Sequence, residues 1–354
     1  MVETTQGQKS YPFYLGTYTH GESEGIYRYL LLEDGSLKRT ALVASTTNPS
    51  YLAHSADRRF LLVASEVNDD GVGFIESYAV SGDSLTFINK SSSGGAHPCF
   101  LVAHPEGYVF TANYTGGNIG LLRLGENGNL SGVLHVQQHS GGSGVKEQQN
   151  SPHAHSVWFE PNDNKNIISL DLGTDELWFS QLDSEQDKLV PSDPKTLKMA
   201  PGAGPRHLIF HPNGMWAYVL NELDGTITTI QKNTRGNYEK KGTVSTLPPD
   251  YAELNSNADI HISSDGKFVY ASNRGHNSIA IYSVDSTNGS IVFIGHESTR
   301  GETPRNFSLS PDENYVLVAN QHSNSITSFK RNKNTGLLTF VSQIEAPAPV
   351  CILF

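Results

Sequence analysis

Only two cysteines, Cys99 and Cys351, occur in 354 residues. Two are too few for a disulfide framework and lack the spacing of a zinc site, so both are read as small core residues. No apolar run approaches the roughly 20 residues that cross a bilayer, which argues against a membrane-spanning helix. Basic side chains are in the minority, 25 against 36 acidic, for a formal net charge of −11. Nucleic acid and anionic membrane are therefore poor partners, and an anionic substrate would need a local basic pocket. Also missing are a glycine-rich nucleotide loop opening a helix, a G-x-S-x-G elbow, a Cys-His nucleophile spacing, and the WD and kelch signatures of scaffold propellers. Helical 3.6-residue periodicity is absent throughout. The first ten residues, MVETTQGQKS, are polar; they read as a disordered leader (residues 1–10) and lack the features of a secretory signal.

What is present is a repeat. An apolar strand, a turn rich in Pro, Ser, Asp, Asn and Gly, and a second apolar strand ending in Asn or an acidic residue recur six times. The copies start at Tyr51, Phe100, Ser156, His207, Asp259 and Asn306. Their turn residues Ala56, Pro105, Pro161, Pro212, Ser264 and Pro311 are 49, 56, 51, 52 and 47 residues apart, so the chain holds about seven periods. Each copy continues into a third strand, such as NIGLLRL or NSIAIYSV, and a fourth. Four-stranded repeats of this length predict an all-β fold, a seven-bladed β-propeller with four antiparallel strands per blade, over residues 11–354. A β-sandwich followed by a second β domain would have no reason to keep one period. The seventh copy is split: PVCILF at the C-terminus matches the first strand of a repeat, and YPFYLGTYT and GIYRYLL match the second and third. The last blade should therefore close by pairing N- and C-terminal strands.

In a propeller the residues just before each inner strand, and those following each second strand, gather near the axis on one face. The first group holds Asn48, His97, His153, His155, Arg206, His207, Asn257, Asp259, Arg305 and Asn306. The second holds Glu66, Asn113, Asp171, Glu222, Asn273, Arg274, Asn320 and His322. Turns favour Gly, Asn and Asp; His, Arg and Glu here are not required by the turn. His153 and His155, two apart at a strand start, should share one side, as a metal pair, a base with its neighbour, or a structural pair. Arg206 precedes Glu222 by one strand-turn-strand excursion, and Arg274 occupies the Glu222 position one blade on. Two converging arginines make a pocket for an anion, while a plain Arg-Glu salt bridge would only hold the turn. Asn113, Asn221, Asn273 and Asn320 recur at one blade position and read as turn caps bonding their own backbone.

The ordered set LGTYTHGESEGIY (15–27), NPSYLAHS (48–55), HPCFLVAHPEG (97–107), ANYTGGNI (112–119), SPHAHSVWFEP (151–161), GAGPRHLIFHPNG (202–214), NELDGTI (221–227), ASNRGHNSI (271–279) and TPRNFSLSP (303–311) resembles the propeller-type lactonase family. That family includes bacterial 6-phosphogluconolactonases and fungal carboxymuconate-lactonizing enzymes. The resemblance implies a catalytic set of His155, Arg206, Glu222 and Arg274. Where the family commonly has an Arg-Gln pair before HAH, this chain has Gln148 and Gln149, with Lys146 as the nearby substitute cation. Further substrate-facing candidates are His97, His153, Gln149, Asn320 and His322.

The expected activity is hydrolysis of a sugar lactone, with 6-phosphoglucono-1,5-lactone as the leading substrate, no metal and no cofactor. The arginines would bind the anionic group and polarise the carbonyl, and His155 or Glu222 would activate water. A carboxylate beside arginines is a weakened base, which favours His155. Alternatives are lactone-forming cycloisomerisation of a muconate, a calcium-dependent lactonase, and a propeller that binds a ligand without turnover. A monomer with a small anionic lactone as its partner is expected, cytoplasmic, or periplasmic if a signal peptide has been removed.

Overall fold

Each of the six sequence repeats folds into an antiparallel sheet whose strands run in chain order from the propeller axis outward. The computed structural model describes residues 3–5 and 8–354. Its inner strands are Pro49–His54, Pro98–Ala103, Ala154–Glu160, Pro205–Phe210, Ser256–Ile262 and Pro304–Leu309, which define blades 1 to 6. Blade 7 is assembled from both ends of the chain, as expected. Pro349–Leu353 is its inner strand, and Gln8–Thr17, Gly25–Leu32 and Leu37–Ser45 follow outward. The closing register sets Tyr14 opposite Leu353, Leu15 opposite Ile352 and Gly16 opposite Cys351. Of the leader, residues 1, 2, 6 and 7 lie outside the described residues, and Glu3–Thr5 pairs as a short strand with Gln8–Ser10. No described helix is long and apolar enough to cross a membrane.

Second strands such as Tyr108–Asn113, Trp216–Asn221 and Tyr315–Asn320 are buried at every position. A strand covered on both faces reads as continuously apolar, and here neighbouring blades cover it. Among the described residues the buried apolar side chains form seven clusters, each joining two adjacent blades. Phe268 and Tyr270 of blade 5 meet Phe307, Val316 and Phe329 of blade 6, and Cys351 and Tyr14 of blade 7 meet Leu52 and Val63 of blade 1. Both cysteines are buried and free.

The inner-to-second turns are capped from within. Ser55, Ser263 and Ser310 each accept the N–H that opens the second strand, from Phe60, Phe268 and Tyr315. His104 and His211 hold the same place in blades 2 and 4, their Nδ1 atoms accepting from the N–H groups of Glu106 and Asn213.

One irregularity recurs in all seven blades and decides where the site is. The ladder between inner and second strands slips after its first pair, or after its second in blade 5, leaving Ser50, Cys99, His155, Arg206, the pair Ala258 and Asp259, Arg305, and Val350 without an opposite residue. Such a bulge bends the strand and re-aims the extra side chain. Five of the residues immediately before these strands have left-handed backbone, Asn48, His97, Gly204, Thr303 and Ala348, with φ between 38° and 64°. Glycine takes that conformation freely, which suits Gly204; the others carry a strain typical of functional turns.

Candidate active site

Two stacked rings of side chains follow from that geometry. The bulged residues form one. The residue leaving each second strand forms the other: Tyr18, Glu66, Tyr114, Leu172, Glu222, Arg274 and Gln321. Six of these seven donate their backbone N–H to the carbonyl just before an inner strand, in Tyr18, Glu66, Tyr114, Leu172, Glu222 and Gln321. The groups that meet at Glu222 sit on these two rings.

Glu222 is the centre. Its Oε2 lies 2.8 Å from Arg206 Nε, and its Oε1 lies 2.8 Å from Arg274 Nη2. The Arg206 contact is an ion pair without hydrogen-bond alignment. His155 Nε2 is 3.9 Å from Glu222 Oε2. Both arginines are anchored a second time on the bulged strand of blade 5. Arg206 Nη1 donates to the Ala258 carbonyl, and Arg274 donates to the carbonyls of Asn257 and Ser256 at 3.0 and 3.4 Å. The two guanidiniums do converge, but the anion between them is the chain's own carboxylate.

Side-chain exposure separates the floor from the mouth. Arg206 and His155 are 3 % and 6 % exposed, against 13 % for Arg274 and 16 % for Glu222. Burial pushes the His155 imidazole well below its ordinary value, and Arg206, His207 and Arg305 push it further. It is therefore neutral at ordinary pH and free to accept a proton. Burial opposes ionisation of Glu222, but Arg274, Arg206 and Arg305 outweigh it and hold the carboxyl below its usual value. Burial, then Arg274, brings the Arg206 guanidinium down to about 10.

Beneath the floor a hydrogen-bonded belt ties four blades together. Arg206 faces His207 Nε2 at 3.4 Å, His207 Nδ1 donates to Asp259 Oδ1 at 2.9 Å, and Asn306 Nδ2 donates to Asp259 Oδ2 at 2.6 Å. Asn306 Oδ1 then accepts the N–H of Ile352 in the closing strand at 2.7 Å. With one ring nitrogen donating and the other facing a guanidinium, the neutral imidazole fits His207; burial and Arg206 lower it to about 4 against the pull of Asp259. Burial also opposes the charge on Asp259, but His261 and His207 hold that carboxyl far below its usual value.

The remaining expected residues are placed as follows. His153 precedes the inner strand and His155 is its bulged residue, and both imidazoles pack on Tyr114. His153 Nδ1 donates to the Tyr114 carbonyl at 2.9 Å and its ring stacks on Tyr114, which His155 meets edge-on. His97 and His322 stand on the rim, each bonded to a threonine hydroxyl at 2.8 Å, Thr115 and Thr303. Gln149 is wholly buried, donating to the Leu172 carbonyl and to Asp175. Asn320 is buried too and bonds the Thr299 carbonyl. Asn113 and Asn273 do the same with Ser93 and Thr246 and also bond across their own turns, to Asn118 and Ser278, while Asn221 bonds Thr226 and Thr228 across its own turn. Lys146 donates to the Leu223 carbonyl beside Glu222. Among the described residues no group of three or more His, Cys, Asp or Glu is arranged to hold a metal ion.

Sequence reasoning put Glu66 and Arg305 near the axis without a role and did not single out Tyr18 or Tyr114. Tyr18 donates to Glu66 Oε2 at 2.8 Å, and Arg305 lies 3.9 Å from the same oxygen and over the Tyr18 ring. The signal was available: TPRN repeats GPRH around the second arginine, and Tyr18, Glu66 and Tyr114 occupy the Glu222 position of their blades.

A carboxylate clamped by guanidiniums beside a neutral imidazole, at the water-accessible mouth of a propeller channel, belongs to an enzyme that moves protons on a small polar substrate. The chain belongs to the seven-bladed β-propeller lactonase family, whose description, "Lactonase, 7-bladed beta-propeller", matches residues 12–354. It is a lactonase, a carboxylic ester hydrolase. The chain is similar to the 6-phosphogluconolactonase of Bacillus subtilis, 35 % identical over 347 residues covering 96 % of this chain and 97 % of that one. A second 6-phosphogluconolactonase, of Formosa agariphila, is 34 % identical over 88 % of this chain and 89 % of that one. The structure of the periplasmic gluconolactonase PpgL of Pseudomonas aeruginosa superposes with a TM-score of 0.92 at 33 % identity, covering 97 % of this chain and 98 % of that one.

Proposed function

We propose that the protein hydrolyses 6-phosphoglucono-1,5-lactone to 6-phosphogluconate at this axial site. The observation that carries the reading is the Arg206–Glu222–Arg274 clamp with neutral His155 3.9 Å from the carboxylate. Two part-exposed guanidiniums, those of Arg274 and Arg305, stand at the mouth in a chain of net charge −11. An anionic lactone is drawn to such a spot.

In the reaction, His155 Nε2 takes a proton from water as the water oxygen bonds to the lactone carbonyl carbon. The imidazolium so formed faces Glu222, whose negative charge stabilises it. Negative charge develops on the former carbonyl oxygen, and Arg274, part-exposed at the mouth, supplies donors to it. Collapse re-forms the carbonyl and breaks the bond to the ring oxygen, which receives the proton from His155 and becomes a hydroxyl. The new carboxylic acid ionises and releases one proton to solvent. Arg206 stays on the floor and fixes Glu222. The protein is read as a cytoplasmic monomer.

The test is acid release from freshly generated 6-phosphoglucono-1,5-lactone, with glucono-1,5-lactone and a muconate as comparison substrates, with and without chelator. Chelator-resistant acceleration over the spontaneous rate, greatest on the phosphorylated lactone, is expected. Turnover of the muconate alone would move the assignment to lactone formation, loss in chelator to a calcium-dependent enzyme, and no acceleration of any substrate to ligand binding.

A further inference from the structure

Of the three axial arginines, Arg305 alone makes no side-chain hydrogen bond among the described residues. Arg206 and Arg274 are engaged by Glu222 and by the carbonyls of residues 256 to 258. Among the described residues the Arg305 guanidinium makes no hydrogen bond, and its nearest carboxylate oxygen, in Glu66, is 3.9 Å away. It is not stranded in the interior either: its side chain is 17 % exposed, level with Glu66 at 16 %. The Tyr18 ring backs it at 5.1 Å and keeps it from swinging away. Burial works against its charge, but Tyr18, Glu66 and Glu222 outweigh that and keep it protonated. A five-donor fork held in place with nothing to donate to is built for an external acceptor, and guanidinium matches phosphate bidentately.

The position of Arg305 assigns it to a different part of the substrate from the reacting carbonyl. His155, Arg206, Glu222 and Arg274 come from blades 3, 4 and 5. Arg305 comes from blade 6, and its companions Glu66 and Tyr18 come from blades 1 and 7. Glu66 uses Oε2 to accept the Tyr18 hydroxyl, and Oε1 makes no hydrogen bond among the described residues. A free acceptor beside a free cation suits a sugar hydroxyl next to an anionic group.

We propose that Arg305 binds the phosphoryl group of the substrate and sets the preference for a phosphorylated over a neutral lactone, with Glu66 accepting a neighbouring sugar hydroxyl. This rests on the substrate reading above and deepens it. The experiment compares kcat/KM on 6-phosphoglucono-1,5-lactone and on glucono-1,5-lactone for the wild type, Arg305→Gln and Arg305→Lys, with melting curves for each. A charge-assisted bidentate contact predicts a loss of roughly 10- to 100-fold for Arg305→Gln on the phosphorylated lactone, mostly in KM, and about 2-fold or less on the neutral one. Arg305→Lys keeps the charge without the fork and should fall between. The assignment is overturned if Arg305→Gln loses equally on both substrates, or if Arg305→Lys, folded and active, discriminates as the wild type does. The substrate reading fails separately, on the wild type alone, if that enzyme does not distinguish the two lactones. Inhibition by 6-phosphogluconate gives a second readout and should weaken in Arg305→Gln while inhibition by gluconate does not.

Discussion

Replacing Glu222 with Gln keeps its shape and removes its charge. Arg206, 3 % exposed, and Arg274, 13 % exposed, would then lose the anion each touches at 2.8 Å, with Arg305 adding to the repulsion. Removing one partner of a buried ion pair costs about 3–5 kcal/mol, because the surviving charge is left uncompensated. Glu222 is 16 % exposed, which admits some water and places the cost near the lower end, about 3 kcal/mol. Unfolding entropy of roughly 2.1 cal/mol/K per residue, over 354 residues, comes to about 0.7 kcal/mol/K. The melting temperature should therefore fall by about 4 °C. Turnover should fall by about 100-fold as well, since the imidazolium at His155 would form without its counter-charge. Thermal unfolding followed by circular dichroism and acid release on the lactone read the two effects on one sample. An unchanged or raised melting temperature with normal turnover would refute the clamp as both structure and chemistry.

The other predictions follow from the same geometry. His155→Ala should cut turnover by about two to four orders of magnitude with the β spectrum retained; near-normal turnover would remove His155 from the mechanism. The rate needs a neutral imidazole, and burial with Arg206 lowers that group from its ordinary 6.5, so the acid limb of kcat/KM should lie below pH 6.5. The rate is then full above the limb and is lost as pH falls through it; a limb at or above neutrality would contradict the neutral, desolvated base. Deleting residues 349–354 removes the inner strand opposite Tyr14 to Thr17 and the Ile352 bond that ends the belt at Asn306. The truncated chain should lack a cooperative melting transition, and a full-length-like melt would break the closure account.

The period, the four-stranded blade and the split seventh repeat were legible because turn chemistry and strand patterning are local properties of the chain. So was the nearness of Arg206, Glu222 and Arg274, which follows from their positions in neighbouring repeats, whereas the choice of His155 to join them came with the family resemblance. The bulge was not legible, since one unpaired residue leaves the strand pattern of HAHSVWF unchanged while taking His155 out of the ladder with the second strand. Nor does the sequence say what two arginines meet; only the fold places Glu222 between them. Asn320 stands at a repeat position facing the axis in sequence, and Gln149 stands just ahead of HAH. The backbone around them turns both into carbonyl latches instead. Arg305 was placed on the axial face by its repeat position but given no role, because the significance of an arginine lies in what its donors lack, and that appears only in three dimensions.

The most direct measurement is the position of 6-phosphogluconate bound to the crystalline protein. The account predicts the product in the axial mouth, its carboxylate at Arg274 and His155 and its phosphate at Arg305. Product bound elsewhere, for example in the cleft between blades 3 and 4 lined by Glu160, Lys232 and Tyr238, or in the mouth with its phosphate away from Arg305, would contradict it.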